Sequence, residues 1–197
     1  MDYKGKVINS HQVGGIEVFA YENGPARGSR AAWINTGSGL RFKVAIDRGL
    51  DIVDAFYNQY SLSWLSHQGM ASPRPDSDSG FNWLYNFPGG LLTTCGLSHI
   101  GRPEDDRGLH GKYSNLKMDI ESVIQPCLND PTPEMAITGK AIESALFGPN
   151  LELKREIRCR LFEPVINIKD KVTIPFGINV KMNASKGFVE YLESAVK

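Results

Sequence analysis

The chain has 197 residues, with 22 acidic and 22 basic side chains and a formal net charge of zero. That length suits one domain with a real core, or at most two small ones. No Lys/Arg block reads as a nucleic-acid footprint and no apolar run nears membrane-spanning length, so neither partner is expected. Met1-Asp2-Tyr3-Lys4-Gly5-Lys6 lacks the apolar region of a signal peptide. Cys95, Cys127 and Cys159 are odd in number, widely spaced and form no CxxC pair. They read as reduced thiols of a cytoplasmic protein, with Cys159 in the core.

In chain order the pattern is almost entirely extended. Ile16 to Tyr21 reads as a strand closed by Asn23-Gly24-Pro25, and Arg30 to Asn35 as a second ended by Gly37-Ser38-Gly39. Leu40, Phe42, Val44 and Ile46 alternate with Arg41, Lys43 and Ala45, the two-residue period of a half-buried strand. Arg48 and Asp51 follow at its end, beside Gly49. Asn58-Gln59 is expected to turn a hairpin into Ser61 to Leu65. Gly69 to Gly80, rich in Ser, Pro, Asp and Gly, is the long loop. Closure over a site and a mobile surface are equally open for it.

The stretch from Phe87 to Ser114 concentrates the chemistry. Pro88 and Gly89-Gly90 set a turn, Leu91 to Cys95 is expected to run extended, and Gly96 ends that run. The charged loop Arg102 to Arg107 belongs at the surface. Gly108 and Gly111 flank His110, so nothing bulky screens its imidazole. Residue types alone fit either an ordinary glycine-rich loop with a surface histidine or a titratable side chain presented in a cleft.

Glu134 to Ala145 is extended, and Phe147-Gly148-Pro149-Asn150 is a turn. Leu151, Leu153, Ile157, Cys159 and Leu161 alternate with Glu152, Lys154, Glu156, Arg158 and Arg160. After Glu163-Pro164, Ile166, Ile168 and Val172 alternate with Asn167, Lys169 and Lys171. This predicts an antiparallel meander with one apolar and one solvated charged face. Many short strands with Gly/Pro turns point to an all-β sandwich or barrel. Ile174 to Gly177 is expected to break the meander. Phe188, Leu192 and Ala195 recur at helical spacing after Ser185, so the tail is either a short closing helix or a disordered end.

Three motifs carry a resemblance: Arg48-Gly49-Leu50-Asp51-Ile52, Gly89-Gly90-Leu91-Leu92-Thr93-Thr94-Cys95-Gly96-Leu97, and Leu109-His110-Gly111-Lys112-Tyr113-Ser114-Asn115. In order, spacing and content they resemble the aldose 1-epimerase-like family of the galactose mutarotase superfamily, in a subfamily of undefined substrate. The resemblance covers roughly residues 15 to 173. It implies an antiparallel β-supersandwich of two twisted sheets with a sugar cleft, spanning 1–173, followed by a divergent tail, 174–197. It also implies carbohydrate binding and mutarotation by general acid–base catalysis, without metal or other cofactor. His110 matches a cleft histidine and is the candidate catalytic acid. Arg48 matches a sugar-holding arginine, and Asp51 orients Arg48 or binds a hydroxyl. Thr94, His99 and Trp64 complete the expected substrate-binding set, with Trp83 an alternative aromatic for a sugar face.

The chain departs from the family after Thr173, where a further strand with a Tyr-His-Phe-Asn-like motif and a late carboxylate base are missing. The resemblance is thus to a C-terminally shortened member. Its base would be Asp51, Glu104 or a residue from another subunit; the alternative is a relative that binds sugar without turning it over. An incomplete sandwich leaves an open strand edge, so a homo-oligomer is expected.

Overall fold

The computed structural model describes residues 6–104, 106–145 and 150–174, together with the backbone of 178–180. Two five-stranded antiparallel sheets dominate. The first takes β1 (Gly15–Ala20), β2 (Arg30–Asn35), β3 (Leu40–Ala45), β4 (Asp51–Tyr57) and β5 (Tyr60–Ser61) in sequential order. A two-stranded piece pairs β6 (Trp64–Leu65) with β7 (Gly89–Gly90). The second sheet orders β8 (Asp119–Ile124), β9 (Glu134–Glu143), β10 (Leu151–Arg160), β11 (Asn167–Ile174) and β12 (Ile178–Val180) as a meander. Four short 3-10 turns are the helical elements among the described residues. The architecture is an all-β sandwich, one of the two forms the alternating patterns allow and the one the resemblance implies.

Strand parity builds the core. In β3, Leu40, Phe42 and Val44 are buried while Arg41 and Lys43 are half-buried. In β10, Leu151, Leu153, Ile157 and Cys159 point inward and meet Ile16, Ile34, Phe42 and Val44 from the first sheet in one cluster. Each such fully buried aliphatic or aromatic side chain contributes roughly 1.5–3 kcal/mol. Tyr113 is fully buried between the sheets, with its hydroxyl 3.3 Å from the Leu153 carbonyl. Burial raises its pKa well above that of a free phenol.

Three local expectations are corrected. Leu91 to Cys95 is no ladder strand: it makes one bridge, Ile52 to Leu92, and then leaves the sheet. The reason is a competing acceptor, since the Thr94 amide donates to the Asp51 carboxylate instead. Ser61 to Leu65 splits at Leu62, with Trp64–Leu65 pairing to Gly89–Gly90. β8 is a further strand, in a stretch without strict alternation, where the register shifts between Ile120 and Ser122. Finally, the ladder does not stop at Ile174: β12 pairs back onto β11, Val172 opposite Val180. The helical reading after Ser185 lies outside the described residues.

Cover over the second sheet is uneven. Ile157 is 1% exposed, yet its register partner Ile168 on β11 is 42% exposed. Leu153, opposite Val172, is covered by the first sheet. The inner face is therefore closed at β10 and open toward one end of β11.

Candidate functional site

The corner between β3 and β4 carries Asp47, Arg48 and Asp51, all buried. Onto it folds the segment from Phe87 to Leu116, through Leu91 N to Ile52 O (2.8 Å) and Gly49 N to Leu116 O (2.9 Å). This places all three sequence motifs at one end of the first sheet.

Arg48 is 1% exposed. Its Nη2 donates to the Asn86 carbonyl (3.0 Å), and its Nη1 to the Ala71 carbonyl and Asn115 Oδ1 (3.3 Å each). Its Nε is buried without a partner. Burial lowers its pKa, and nearby Asp51 partly restores it. The guanidinium thus holds the 3-10 turn Asn82–Asn86 from below. Three residues per turn put Trp83 and Asn86 inside, with Leu84 and Tyr85 out.

Trp83 meets His110 edge-on, ring centroids 4.9 Å apart, and its Nε1 donates to Ser114 Oγ (3.2 Å). Phe87 stacks on Trp83 at 4.4 Å, and Trp64 on Phe87 at 5.9 Å. Trp64 is 64% exposed. An aromatic ladder therefore leads from the surface to the His110 imidazole.

His110 itself sits at φ +59°, a left-handed conformation that side chains other than Gly, Asn and Asp seldom adopt. Its Nδ1 is buried without a partner, and its Nε2 bonds to no described residue. The next residue, Gly111, has φ +70°, and a Cβ there would lie 2.7 Å from Gly96 Cα and 2.8 Å from the His99 carbonyl. The two loop segments pack backbone on backbone beside the imidazole, and Gly96 N donates to the His110 carbonyl (2.6 Å). His99 is turned away into this packing: its Nε2–H donates to the Arg102 carbonyl (2.9 Å), and its Nδ1 lies 3.8 Å from Glu104.

Asp51 and Thr94 form a second cluster. Asp51 Oδ1 accepts from the Thr94 amide (2.8 Å) and from its hydroxyl (2.6 Å). Arg155 of β10 donates through Nη1 to that hydroxyl (2.6 Å) and to the Gly49 carbonyl (3.1 Å). Its Nε and Nη2 hold Asp170 bidentately at 2.8 and 2.7 Å. Burial drives the Asp51 pKa up to about 6, against the opposing pull of Arg155, Thr94 and Arg48. Burial also pulls Arg155 down, but Asp170 and Asp51 outweigh it and its pKa is raised. Cys95 lies half-buried beside this group, its thiol pKa raised by burial and by Asp51.

Sequence reasoning missed Arg155 and Glu143. Arg155 falls in phase with Leu151, Leu153, Ile157 and Cys159, so its position alone marked it as an inward-facing charge. Glu143, at the end of β9, is 3% exposed and accepts from the amides of Leu97 (2.7 Å) and Ser98 (3.3 Å) and from the Ser98 hydroxyl. Two carboxylates, one from each sheet, thus take the amides of Thr94, Leu97 and Ser98. Among the described residues no three His, Cys, Asp or Glu side chains group as a metal site. A shallow concavity of about 590 Å³ lined by Asn35, Arg41 and Asn58 lies at the other end of β3 and shares no residue with this cluster.

This geometry and the paired sheets define a galactose mutarotase-like β-sandwich. Residues 26–175 match the family described as a domain of unknown function, DUF4432, and the chain belongs to that family. No curated protein matches the chain. Among solved structures it is similar to a candidate aldose 1-epimerase from Klebsiella pneumoniae, with a TM-score of 0.70 and 24% identity over 85% of this chain and 46% of that one. It is also similar to a galactose 1-epimerase from Lactobacillus acidophilus, with a TM-score of 0.51 and 14% identity over 81% of this chain and 48% of that one. At these identities the likeness establishes the fold. The chain spans about half the length of these solved relatives.

Proposed function

We propose that the chain binds a free sugar at the His110 cluster and that His110 is the general acid of an aldose 1-epimerase-type reaction. The observation that carries this is the imidazole: held in a left-handed backbone between glycines, set edge-on to Trp83, with neither ring nitrogen bonded to a described residue. The names of the solved relatives, both 1-epimerases, point the same way.

In the reaction the anomeric hydroxyl loses its proton to a base and the bond from the anomeric carbon to the ring oxygen breaks. His110 protonates that ring oxygen, and the open-chain aldehyde recloses on either face. Asp51, its proton affinity raised by burial, is the candidate base, and Glu104 is the exposed alternative. Trp64 serves as an apolar platform for a ring face, and Arg48 holds the turn that sets Trp83, whereas Thr94 and His99 are engaged by Asp51, Arg155 and the Arg102 carbonyl and act by holding the loops around His110. A reducing cytoplasmic setting suits the three free cysteines. The open end of β11 favours self-association of the chain.

Polarimetry of freshly dissolved aldoses tests the catalytic reading. The expected result is faster mutarotation with the protein than without it, lost in His110→Ala. A second reading, a sugar-binding protein without turnover, is favoured by the way nearby carboxylates are engaged, Asp51 by Thr94 and Asp170 by Arg155. It gives sugar binding with no gain in rate.

A further inference from the structure

We propose that Glu143 is a positioning residue for His110: its buried carboxylate, reaching across from the second sheet, sets where the imidazole stands. The inference rests on the sugar-site reading for its functional consequence, but its geometric part stands alone. Glu143 caps the amides of Leu97 and Ser98 and takes the Ser98 hydroxyl. A carboxylate accepting several backbone and hydroxyl donors is among the stronger anchors available to a loop. The anchored segment is the one that touches His110: Gly96 N donates to the His110 carbonyl, and Gly96 and the His99 carbonyl lie against Gly111 with no room for a Cβ. Arg107 Nη1 donates to the Ser98 carbonyl (2.9 Å), and Lys112 Nζ to the Ser144 carbonyl (3.0 Å), so the same junction is tied from both sides.

Without the carboxylate the Leu97 and Ser98 amides lose their acceptor, and segment 96–99 is free to shift against Gly111. Because His110 is fixed by backbone contacts, not by its own ring nitrogens, that shift moves the imidazole directly. Displacements of about an ångström at a working group are enough to cost tenfold or more in a reaction or in binding.

The test uses Glu143→Gln, which keeps the shape but removes the charge, and Ser98→Ala, a milder variant that removes one contact only. The first readout is the ¹⁵N shifts of the His110 ring, assigned with His110→Gln, with remote His11 as internal control. The second is affinity for D-galactose and D-glucose. Glu143→Gln is expected to shift the His110 ring signals while leaving His11 in place, and to weaken sugar binding by about tenfold. Ser98→Ala is expected to move both in the same direction by less. Unchanged His110 signals in both variants overturn the proposal, whatever happens to the melting temperature. If Glu143→Gln does not fold, Ser98→Ala alone decides by the same criterion. If the wild type binds neither sugar, the sugar-site reading fails, while the ring signals still accept or reject the positioning role.

Discussion

The two faces of β10 carry the same residue types under opposite conditions. On the outer face Lys154 reaches Glu121, while Arg158 and Arg160 share Glu134. These groups stay wet, so screening and side-chain entropy consume most of what the pairs provide. On the inner face Arg155 is 3% exposed and touches Asp51, Thr94, Gly49 and Asp170. There every nitrogen of the guanidinium is engaged, and removing Arg155 strands the buried Asp51 carboxylate in a low-dielectric site. A one-residue difference in strand parity separates a solvated network from an inter-sheet tie.

The largest effect is expected at the tie. Arg155→Met leaves Asp51 and Asp170 without their cation, and breaking a buried pair in this way costs about 3–5 kcal/mol. Urea denaturation of the two proteins reads this from the midpoints. Next comes the loop packing beside His110. Gly111→Ala introduces a Cβ into backbone atoms at a positive φ and is expected to cost at least about 1–3 kcal/mol, together with loss of sugar affinity. A return to wild-type stability in this variant would mean that the two loop segments are not in contact.

A subtler break uses pH. The Asp51 pKa is raised from 3.8 to about 6 on folding, so the folded state holds an extra proton between those values. Its contribution is therefore fully present below about 3.8 and is lost as pH rises through about 6. The paired outer carboxylates Glu121, Glu134 and Glu156 have lowered pKa values and act with the opposite sign, losing their contribution as the solution is acidified. Comparison with Asp51→Asn isolates the buried group. The stability of wild type relative to that variant should fall between pH 4 and pH 6 and be flat above pH 7, as read from denaturation midpoints at each pH. The smallest effect is expected on the outer face, where Glu121→Gln should leave the melting temperature close to wild type and erase little beyond its salt dependence.

The same parity explains what the sequence could reveal. Alternation in Leu40 to Ala45 and in Leu151 to Leu161 fixes which side chains face inward, and those strands stand where the pattern puts them. The glycine-flanked His110 and the corner with Arg48 and Asp51 are legible because glycine and strand ends leave local marks. The engagement of these residues is not local. Whether Thr94 continues a ladder or donates to Asp51 depends on a carboxylate 43 positions away, and whether Leu97 is anchored depends on Glu143, 46 positions on. Arg155 was within reach, since a charge in an apolar phase is its own signal, whereas Glu143 left only a weak one, at the end of a strand whose middle, Met135 to Gly139, is buried on both faces and shows no alternation.

The central claim is that the His110 cluster is a sugar site, and calorimetric titration of free aldoses into wild type and His110→Ala tests it most directly. The account expects saturable binding of at least one aldose to the wild-type chain and its loss in the variant, with the two proteins showing the same fold by circular dichroism. Equal binding by both proteins, or none by the folded wild type, would contradict it.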